Sequence, residues 1–431
     1  MVPILSVTLV LAISITFTEC ASNSSKNANR DTINYFDGSL LKENQYHFVS
    51  QKSDFCGVIV PGLQLMTRGV DVARLDLLHD YNADHDDGFA VCSFIELTCK
   101  KKRKLKLDGV EYDVPDQVLS IDLLPRDSLK THLGMINNLD EARNELKGPL
   151  GMLDRPVRGL FSESGSYKSY QRVILNGTRF LATLQVVTPS TRINLAPRTS
   201  LRKSLTEFMS DFLSEEMPTK YRENPEKFQE FIQNYGTHYF KSAMFGGVFN
   251  HVTQVDQSVR EFLSDREIRQ NINMYFMALL SRKGVVSKVF EKKDNKSFRE
   301  KLLTNQSYYG GDAFLLEIDR YENWLPSLPR NPWLVSGQLA PITELIRNET
   351  VKAELDTAIQ VHLGLAYIQD CKRILNAQMK KFPAKVTKIS PLIDKIERMI
   401  SSSPPLPEQI DLLIRELESV KYVVKLFNAI R

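Results

Sequence analysis

After about residue 55, the chain carries short apolar runs separated by Gly and Asp. Residues 56–60 and 89–97 are rich in Val, Ile, Phe and other strand-forming residues. Runs of this length and composition predict β-strands. From about residue 199 onwards, apolar residues instead recur every three or four positions, and this spacing predicts helices.

A basic hairpin is predicted between these two regions. Lys100 to Lys106 form a basic run, the turn-forming pair Asp108 and Gly109 follows, and residues 110–114 alternate in polarity. The basic strand has two interpretations. It attracts an anionic membrane or a sulfated glycan, or it is a solvated edge strand whose lysines discourage aggregation.

Two helices with capping signals are predicted in the middle of the chain. The first follows Thr199 and Ser200, and its apolar positions are Leu201, Leu205, Phe208, Met209 and Phe212. The second opens with Asn224 as N-cap and Pro225 in the first turn, and its apolar positions are Phe228, Phe231, Ile232 and Tyr235. Both apolar stripes are typical of core packing.

The end of the chain is predicted to be helical and increasingly basic. We place a boundary near residue 364, so that residues 46–364 form the main domain and residues 365–431 a helical extension. A break rich in Ser and Pro at residues 401–407 precedes the last helix, which begins near Glu408. The extension either packs on the main domain or forms an arm that binds a partner.

The N-terminal residues indicate secretion. Residues 4–17 are uncharged and largely apolar, and small residues follow Cys20, as expected for a signal peptide over residues 1–20. An uncleaved anchor is the alternative, although the run is short for a membrane span. Residues 21–45 are polar and predicted to be loosely ordered. The mature chain is therefore expected to be extracellular.

Cysteine usage agrees with an oxidising compartment. Apart from Cys20, the chain has an even number of cysteines, namely Cys56, Cys92, Cys99 and Cys371. All four are disulfide candidates, and the three pairings that four cysteines allow stay open. No CxxC pair or neighbouring His supports a tetrahedral zinc site, so no metal is expected.

Five sites match the Asn-x-Ser/Thr rule for glycosylation. They are Asn23, Asn176, Asn295, Asn305 and Asn348. Together with a signal peptide, these sites favour a glycosylated product.

Charge and motif content exclude several functions. The formal net charge of +4 is mild and only two Trp are present, so nucleic acid is not an expected partner. No phosphate-binding loop, paired carboxylate site or activated nucleophile is recognisable. We therefore expect no catalytic residues, no cofactor and no enzymatic activity.

Seven residues with a fixed spacing form the most specific motif of the chain, namely Tyr235, Gly236, Thr237, His238, Tyr239, Gly246 and Gly247. Each position matches the signature of the membrane-attack-complex/perforin (MACPF) family, which the chain therefore resembles. A second glycine pair, Gly310 and Gly311, and residues 321–342 are similar to later parts of the same family. The resemblance covers about residues 50–364. We expect His238 to be structural, because no nucleophile or acid partner stands at a useful spacing.

The resemblance implies an α+β fold, in which a bent, twisted, four-stranded antiparallel sheet is flanked by two helical clusters. Adjacent glycines within a strand mark a sharp bend or a close backbone approach, which agrees with Gly246 and Gly247. In lytic members of the family, both clusters unfurl into amphipathic hairpins that join a large β-barrel. Such hairpins must alternate apolar and polar residues, so that one face meets lipid.

The second cluster is expected between Ser281 and Tyr308, where the alternation is poor. Only residues 285–290 alternate mildly, whereas residues 291–294 and 299–301 are dense in charge. A Lys or Arg that faces lipid at the midplane costs about 2–4 kcal/mol. This composition disfavours insertion.

Glycosylation would add to this obstacle. Asn295 and Asn305 fall inside the expected second cluster, and a glycan on either could not cross a bilayer with its hairpin. The first cluster, expected near residues 159–174 with Asn176 at its exit, has small alternating residues that do not decide the question.

These observations favour a secreted, non-lytic glycoprotein that acts in extracellular or developmental signalling, with membrane or matrix association. Its architecture is similar to secreted family members of the insect torso-like type, which act in a receptor tyrosine kinase pathway. The expected partner is then an extracellular protein, a receptor or the matrix. The alternative is a perforin-like pore-forming effector that assembles into homo-oligomers on membranes.

Overall fold

The computed structural model describes residues 55–78, 87–125, 129–147, 157–285, 296–312, 315, 321–401 and 405–428. They lie within the unit Lys52–Arg431. In chain order, the strands are β1 (Arg68–Val70), β2 (Phe89–Ser93), β3 (Arg103–Leu107), β4 (Val110–Val114), β5 (Val118–Leu123), β6 (Lys130–Ile136), β7 (Arg179–Leu195), β8 (His238–Asp256), β9 (Leu302–Tyr309) and β10 (Trp333–Pro341).

Helices surround these strands and differ widely in length. They are α1 (Leu139–Leu146), α2 (Gly165–Asn176), α3 (Arg198–Leu201), α4 (Glu207–Asp211), α5 (Pro225–Tyr235), α6 (Asp265–Arg282), α7 (Lys296–Arg299), α8 (Tyr321–Trp324), α9 (Glu349–Lys381), α10 (Val386–Ser401) and α11 (Pro407–Asn428). A π-helical turn at Phe212–Glu216 continues α4. The 3-10 helices are Leu63–Thr67, Tyr221–Glu223, Gln257–Glu261, Leu325–Ser327, Ile342–Leu345 and Pro383–Lys385.

The long strands β7 and β8 form the centre of the sheet and pair antiparallel along most of their length. On the outer side of β7, β6 pairs with residues 181–187 and β5 with residues 191–195. On the outer side of β8, β10 pairs with residues 238–246 and β9 with residues 248–255. Each half of the sheet is therefore four antiparallel strands wide, which confirms the expected sheet. We call the half with β6 and β9 the cluster half-sheet and the half with β5 and β10 the signature half-sheet.

The two halves meet at Gly246 and Gly247 in β8. Pro189 of β7 lies opposite Gly246, and the register between β7 and β8 shifts just after Pro189. A Cβ atom on Gly246 would lie 2.0 Å from the carbonyl oxygen of Thr188, and one on Gly247 would lie 2.2 Å from the Trp324 ring. Packing therefore excludes any side chain at both positions, and these glycines permit the change of partner strands.

Two predicted elements are confirmed. Strands β3 and β4 form a separate two-stranded sheet, and Asp108 and Gly109 make its turn with positive φ angles. Helix α5 begins as expected, because Asn224 is its N-cap, Pro225 is in its first turn, and the Asn224 side chain accepts a hydrogen bond from the Lys227 amide.

The continuous helix predicted after Ser200 is wrong. Helix α3 ends within one turn, and Leu205 then makes an antiparallel bridge with Ile95. Helix α4 starts independently after Thr206, whose hydroxyl accepts a hydrogen bond from the Met209 amide at 3.3 Å. The bridge requires extended backbone at Leu205, which interrupts a helix whatever the side-chain spacing.

Both predicted N-terminal strands are shorter than expected. Residues 56–60 contribute only a bridge between Ile59 and Asp113. Residues 89–97 contribute β2, which pairs with β1, and β1 in turn pairs with the start of β8. The disulfide between Cys56 and Cys99 joins the first region to the chain just after the second.

The C-terminal helices lie against one another and against the main sheet domain. Helix α9 runs without interruption through residue 364, where we placed the domain boundary. At Gly364, a Cβ atom would lie 2.5 Å from Ile410 of α11, so these two helices touch closely. The predicted break is present, since α10 ends at Ser401 and α11 begins at Pro407.

The close packing around Gly246 predicts that one added methyl group at this position strongly destabilises the fold. We expect Gly246→Ala to lower the free energy of unfolding by more than about 2 kcal/mol, because its Cβ overlaps backbone that cannot move independently. Gly109→Ala is the control, because a Cβ there meets open space and only the positive φ angle opposes it, at about 1 kcal/mol. Urea denaturation measures both variants, and an equal or smaller loss for Gly246→Ala would contradict the packing argument.

Candidate functional site at the bent sheet and its two helical clusters

The first part of the signature motif is a tight junction between α5, β1 and β8. Gly236 ends α5 with a φ of 78°, and a Cβ atom on it would lie 2.6 Å from the Val70 amide nitrogen. The Thr237 amide donates to the Val70 carbonyl at 2.9 Å, and the Thr237 hydroxyl accepts from the Val72 amide at 3.2 Å. Thr237 therefore ties β1 to the start of β8, and only glycine fits beside it.

His238 is buried in this junction. Its Nδ1 atom lies 3.0 Å from the Thr237 hydroxyl. Burial lowers the pKa of His238 to about 4, although the Asp71 carboxylate opposes this shift. The imidazole is thus neutral at neutral pH, and its contacts are those of a packed structural side chain.

A buried carboxylate connects the same junction to α9. Asp71 accepts hydrogen bonds from Arg74 Nε at 2.9 Å and lies 2.9 Å from His362 Nε2. Burial would raise the pKa of Asp71, but the hydrogen bond with His362 and the positive charge of Arg74 hold it below its ordinary value. The signature residues are thereby linked to the long C-terminal helix.

The first helical cluster lies between β6 and β7 and includes α1 and α2. It extends well beyond the residues 159–174 expected from sequence. Its contact with the cluster half-sheet is partly polar, because the buried Glu145 accepts a hydrogen bond from the Thr183 hydroxyl at 2.6 Å. His132 Nε2 lies 3.0 Å from the same carboxylate.

A buried ionic network holds the first cluster against α9. Asp370, which is 0% exposed, accepts hydrogen bonds from Gln171 Nε2 at 2.6 Å, from the Tyr167 hydroxyl at 3.2 Å and from Arg143. Arg373 of α9 also contacts Gln171 at 3.0 Å. This network could not be predicted from a local sequence motif, because its partners are some 200 residues apart in the chain. Removing one partner of a buried ion pair typically costs 3–5 kcal/mol, because the other charge is left buried and uncompensated.

The second helical cluster lies between β8 and β9, and its described helices are the 3-10 helix Gln257–Glu261, α6 and α7. Its main element, α6, packs one face on the apolar side of the cluster half-sheet. The buried residues of that face are Ile268, Ile272, Phe276, Leu279 and Leu280, and they contact a core formed by Phe180, Ala182, Leu184, Val186, Phe249 and Val255. Each such side chain contributes roughly 1.5–3 kcal/mol by burial.

The expected bounds of the second cluster, Ser281 to Tyr308, are wrong at both ends. Residues 302–309 form β9 of the sheet, and the cluster begins before α6. The bounds predicted from sequence were based on the charged residues after 290. The start of α6, however, carries a sequence signal for a helix. Ser264 and Glu267 form a capping box ahead of the apolar stretch 272–280.

His251 lies under α6, and the sequence analysis did not predict a role for it. It is 0% exposed, and its Nε2 atom lies 3.3 Å from the hydroxyl of Tyr275 in α6. Its ring contacts the rings of Phe249, Tyr275 and Phe276. Burial lowers the pKa of His251 to about 4, so a neutral imidazole is part of the surface that holds α6.

The predicted disulfide candidates behave differently from one another. Cys56 and Cys99 form one disulfide, and Cys92 is also disulfide-bonded. Cys371 is instead a buried thiol of α9, which corrects the expectation for this residue. Its side chain hydrogen-bonds with Tyr367 within the helix, where it faces packed neighbours rather than another cysteine.

Three of the predicted glycosylation sites are exposed, and two lie outside the described residues. Asn176 ends α2, Asn305 is in the middle of β9, and Asn348 is the N-cap of α9. Asn305 therefore belongs to the sheet and not to the second cluster. Asn23 and Asn295 are outside the part of the chain that the structure describes.

The basic run from Lys100 to Lys106 is partly neutralised. Lys104 contacts Asp113 at 2.7 Å and Glu111 at 3.6 Å across the hairpin. Lys106 is exposed at the hairpin end. The basic strand of this hairpin is thus a weaker cationic surface than its sequence suggests.

Metal and membrane-span signals are lacking in the described ranges. Within them, no group of His, Cys, Asp or Glu side chains is arranged to hold a metal ion. Among the same residues, no helix has the length and apolarity required to cross a bilayer.

Comparisons with known proteins agree with this geometry. The MAC/Perforin domain family matches residues 59–372. The Perivitellin-2 67 kDa subunits of Pomacea canaliculata and Pomacea maculata are each 27% identical over 325 residues, which cover 75% of this chain and 56% of the relative. The chain thus spans about half the length of these curated relatives.

A solved structure supports the fold. The crystal structure of GNIP1Aa from Chromobacterium piscinae superposes with a TM-score of 0.53 at 16% identity, covering 70% of this chain and 56% of that chain. At this identity the likeness concerns the fold alone.

The position of His251 predicts that acid loosens α6. A hydrated imidazole titrates near pH 6.5, whereas the packed one titrates near 4. Between these values, a state with α6 released binds a proton that the packed state does not. The packed state is therefore fully favoured above about pH 6.5 and loses up to about 3 kcal/mol of stability as the pH falls towards 4.

Hydrogen exchange of the α6 amides at about pH 7.5 and 5, corrected for intrinsic rates, tests this prediction. We expect α6 to lose protection at the lower pH in the native protein and to lose less in His251→Phe, which keeps an aromatic ring but cannot titrate. The amides of α9 serve as the internal control. An equal loss in both proteins would show that His251 does not couple α6 to pH.

Proposed function

Because this chain belongs to the MAC/Perforin domain family, we propose that it is a secreted, non-enzymatic, perforin-like protein that assembles on membranes and inserts its second helical cluster as a β-hairpin. One observation carries the proposal. The α6 stretch from Asn271 to Leu280, which lies packed as a helix on the sheet, has the pattern of a membrane-facing strand when it is extended.

In an extended strand, alternate side chains face opposite sides. One side of this stretch would carry only apolar residues, namely Ile272, Met274, Phe276, Ala278 and Leu280. The other side would carry Asn271, Asn273 and Tyr275, followed by Met277 and Leu279. Such a strand of about 10 residues matches the length that a transmembrane β-strand needs.

The residues after this strand fit a hairpin tip and a return strand. Ser281, Arg282, Lys283 and Gly284 are polar or turn-forming, and Gly284 already has a φ of 74°. Residues 285–290 show the mild alternation noted from sequence. Charged residues in a tip emerge on the far side of the bilayer and so do not stay in lipid.

The revised cluster bounds weaken the case for a non-lytic role. That preference depended on charge and on two predicted glycans within residues 281–308. With Asn305 in β9, its glycan would not have to cross the membrane. Assembly is supported by the outer strands β6 and β9, which within the described sheet each pair on one side only, and the outer edge of such a strand can pair with a second copy.

The second candidate is the non-lytic extracellular signalling or matrix protein of the torso-like type. The charged residues 291–294 and 299–301 and the sequon at Asn295 favour it, since neither charge nor sugar dissolves in lipid tails. Its partner would be a receptor or matrix component, with Lys100 to Lys106 as a contact for anionic surfaces. The same experiment separates the two functions.

The hairpin register predicts opposite effects of two adjacent substitutions. Met274→Arg would place a cation on the lipid-facing side, at about 2–4 kcal/mol, and should reduce dye release from liposomes at least about tenfold. Asn273→Arg would place the same charge on the other side and should leave release within about twofold of the native protein. Neither residue belongs to the core under α6, so both variants should fold normally.

Circular dichroism and thermal unfolding would first establish that both variants keep the native fold. Equal release by both variants would reject the proposed register. No release by the native protein from vesicles with or without anionic lipid would reject the pore-forming function and leave the non-lytic one.

A further inference from the structure

A large basic cavity lies beside α2, which belongs to the first helical cluster. It has a volume of about 930 Å³ and opens between α2, the first residue of β7 and the end of α9. Six of the described lining residues are cations, namely Lys168, Arg172, Arg179, Arg373, Lys380 and Lys381, and none is Asp or Glu. A concave surface of one charge focuses the electrostatic potential on an incoming ligand of the opposite charge.

The protein neutralises only part of this charge. Lys168 and Arg373 share Glu163, at 2.7 Å and 2.8 Å respectively, and Arg179 lies 4.0 Å from Asp256. Among the described residues, no acidic side chain forms an ion pair with Arg172, Lys380 or Lys381. The cavity therefore retains an excess of positive charge.

One donor in the lining is also unsatisfied. The Nη1 atom of Arg179 is buried and has no hydrogen-bond acceptor in the described part of the chain. A buried donor without an acceptor costs about 1–3 kcal/mol, and more when the group is charged. Lys381 brings a further amine close to the backbone at Gly177, where a Cβ atom would lie 2.6 Å from its Nζ atom.

These features indicate the chemistry of the ligand. Guanidinium groups present planar forks that bind phosphate oxygens in pairs, and ammonium groups add point charges to the same oxygens. A volume near the upper end of ordinary ligand pockets exceeds the need of a single phosphate. We propose that this cavity binds a ligand with two or more phosphate groups, either free in solution or as the headgroup of a lipid.

The site also touches the attachment of the first helical cluster. Arg373 lines the cavity and, on its other side, contacts Gln171 and Glu163, next to Asp370. A phosphate bound to Arg373 would compete with these acceptors. Ligand binding would thus act on the contact between α2 and α9, although the binding itself does not depend on any membrane insertion.

The test uses inositol hexakisphosphate as the probe, with the full mature chain at about 0.15 M salt. Isothermal titration calorimetry compares the native protein with Arg172→Gln/Lys380→Gln, which removes two cavity charges that hold no ion pair. The matched control is Lys101→Gln/Lys106→Gln, which removes the same charge from the β3 hairpin. The sugar predicted at Asn176, another lining residue, is removed enzymatically beforehand.

We expect the cavity variant to bind the probe at least about tenfold more weakly and the hairpin variant to bind within about twofold of the native protein. No binding by the native protein, or an equal loss in both variants, would overturn the proposal. Sedimentation with phosphatidylcholine vesicles, with and without a bisphosphorylated phosphoinositide, then identifies the source. Vesicle binding that requires Arg172 and Lys380 assigns a lipid headgroup, and binding of the free probe alone assigns a soluble ligand.

Discussion

The architecture depends on the absence of side chains at Gly246 and Gly247. Trp324 fills the space beside Gly247, and its indole nitrogen donates to the Gly310 carbonyl at 2.9 Å. The second glycine pair is therefore packed against the same tryptophan as the first. This close packing coincides with the change of partners from β10 to β9. Because the outer strands change there, the cluster half-sheet has its own edges and its own two faces, and each face carries one helical cluster.

The two clusters are attached by different kinds of interaction. Helix α6 is held mainly by apolar side chains on β7 and β8, with His251 as a neutral polar residue in that surface. The first cluster is held by charged and hydrogen-bonded contacts, in which its Glu145 contacts Thr183 of the sheet and its Gln171 contacts Asp370 of α9. Apolar contacts can be exchanged for lipid at little change in free energy, whereas buried ion pairs cannot. The structure therefore makes α6 the more easily released of the two clusters.

Sequence reasoning succeeded where a local pattern has one physical meaning. Asn224 before Pro225, followed by apolar residues at helical spacing, is typical of a helix start, and the signature motif with its paired glycines identified the family and the bent sheet. Sequence reasoning failed where the conformation or role of a residue depends on a partner far away in the chain. Leu205 has helical spacing but pairs with Ile95, and Asp370 acquires its role from residues of α1 and α2. The predicted bounds of the second cluster were wrong for a different reason. They were based on charged residues, whereas the cluster ends where β9 begins to pair with β8.

The proposed insertion of α6 must be coupled to assembly. Ile272, Phe276 and Leu280 are buried on the sheet and would be buried again in lipid, so their transfer contributes little in either direction. The helical backbone is different, because every amide that leaves α6 needs a new partner and the bilayer interior offers none. Only neighbouring strands in a closed barrel can supply them. A single copy therefore gains nothing by unfolding α6 on a membrane, and the outer edges of β6 and β9 are the places where a second copy would first change that balance.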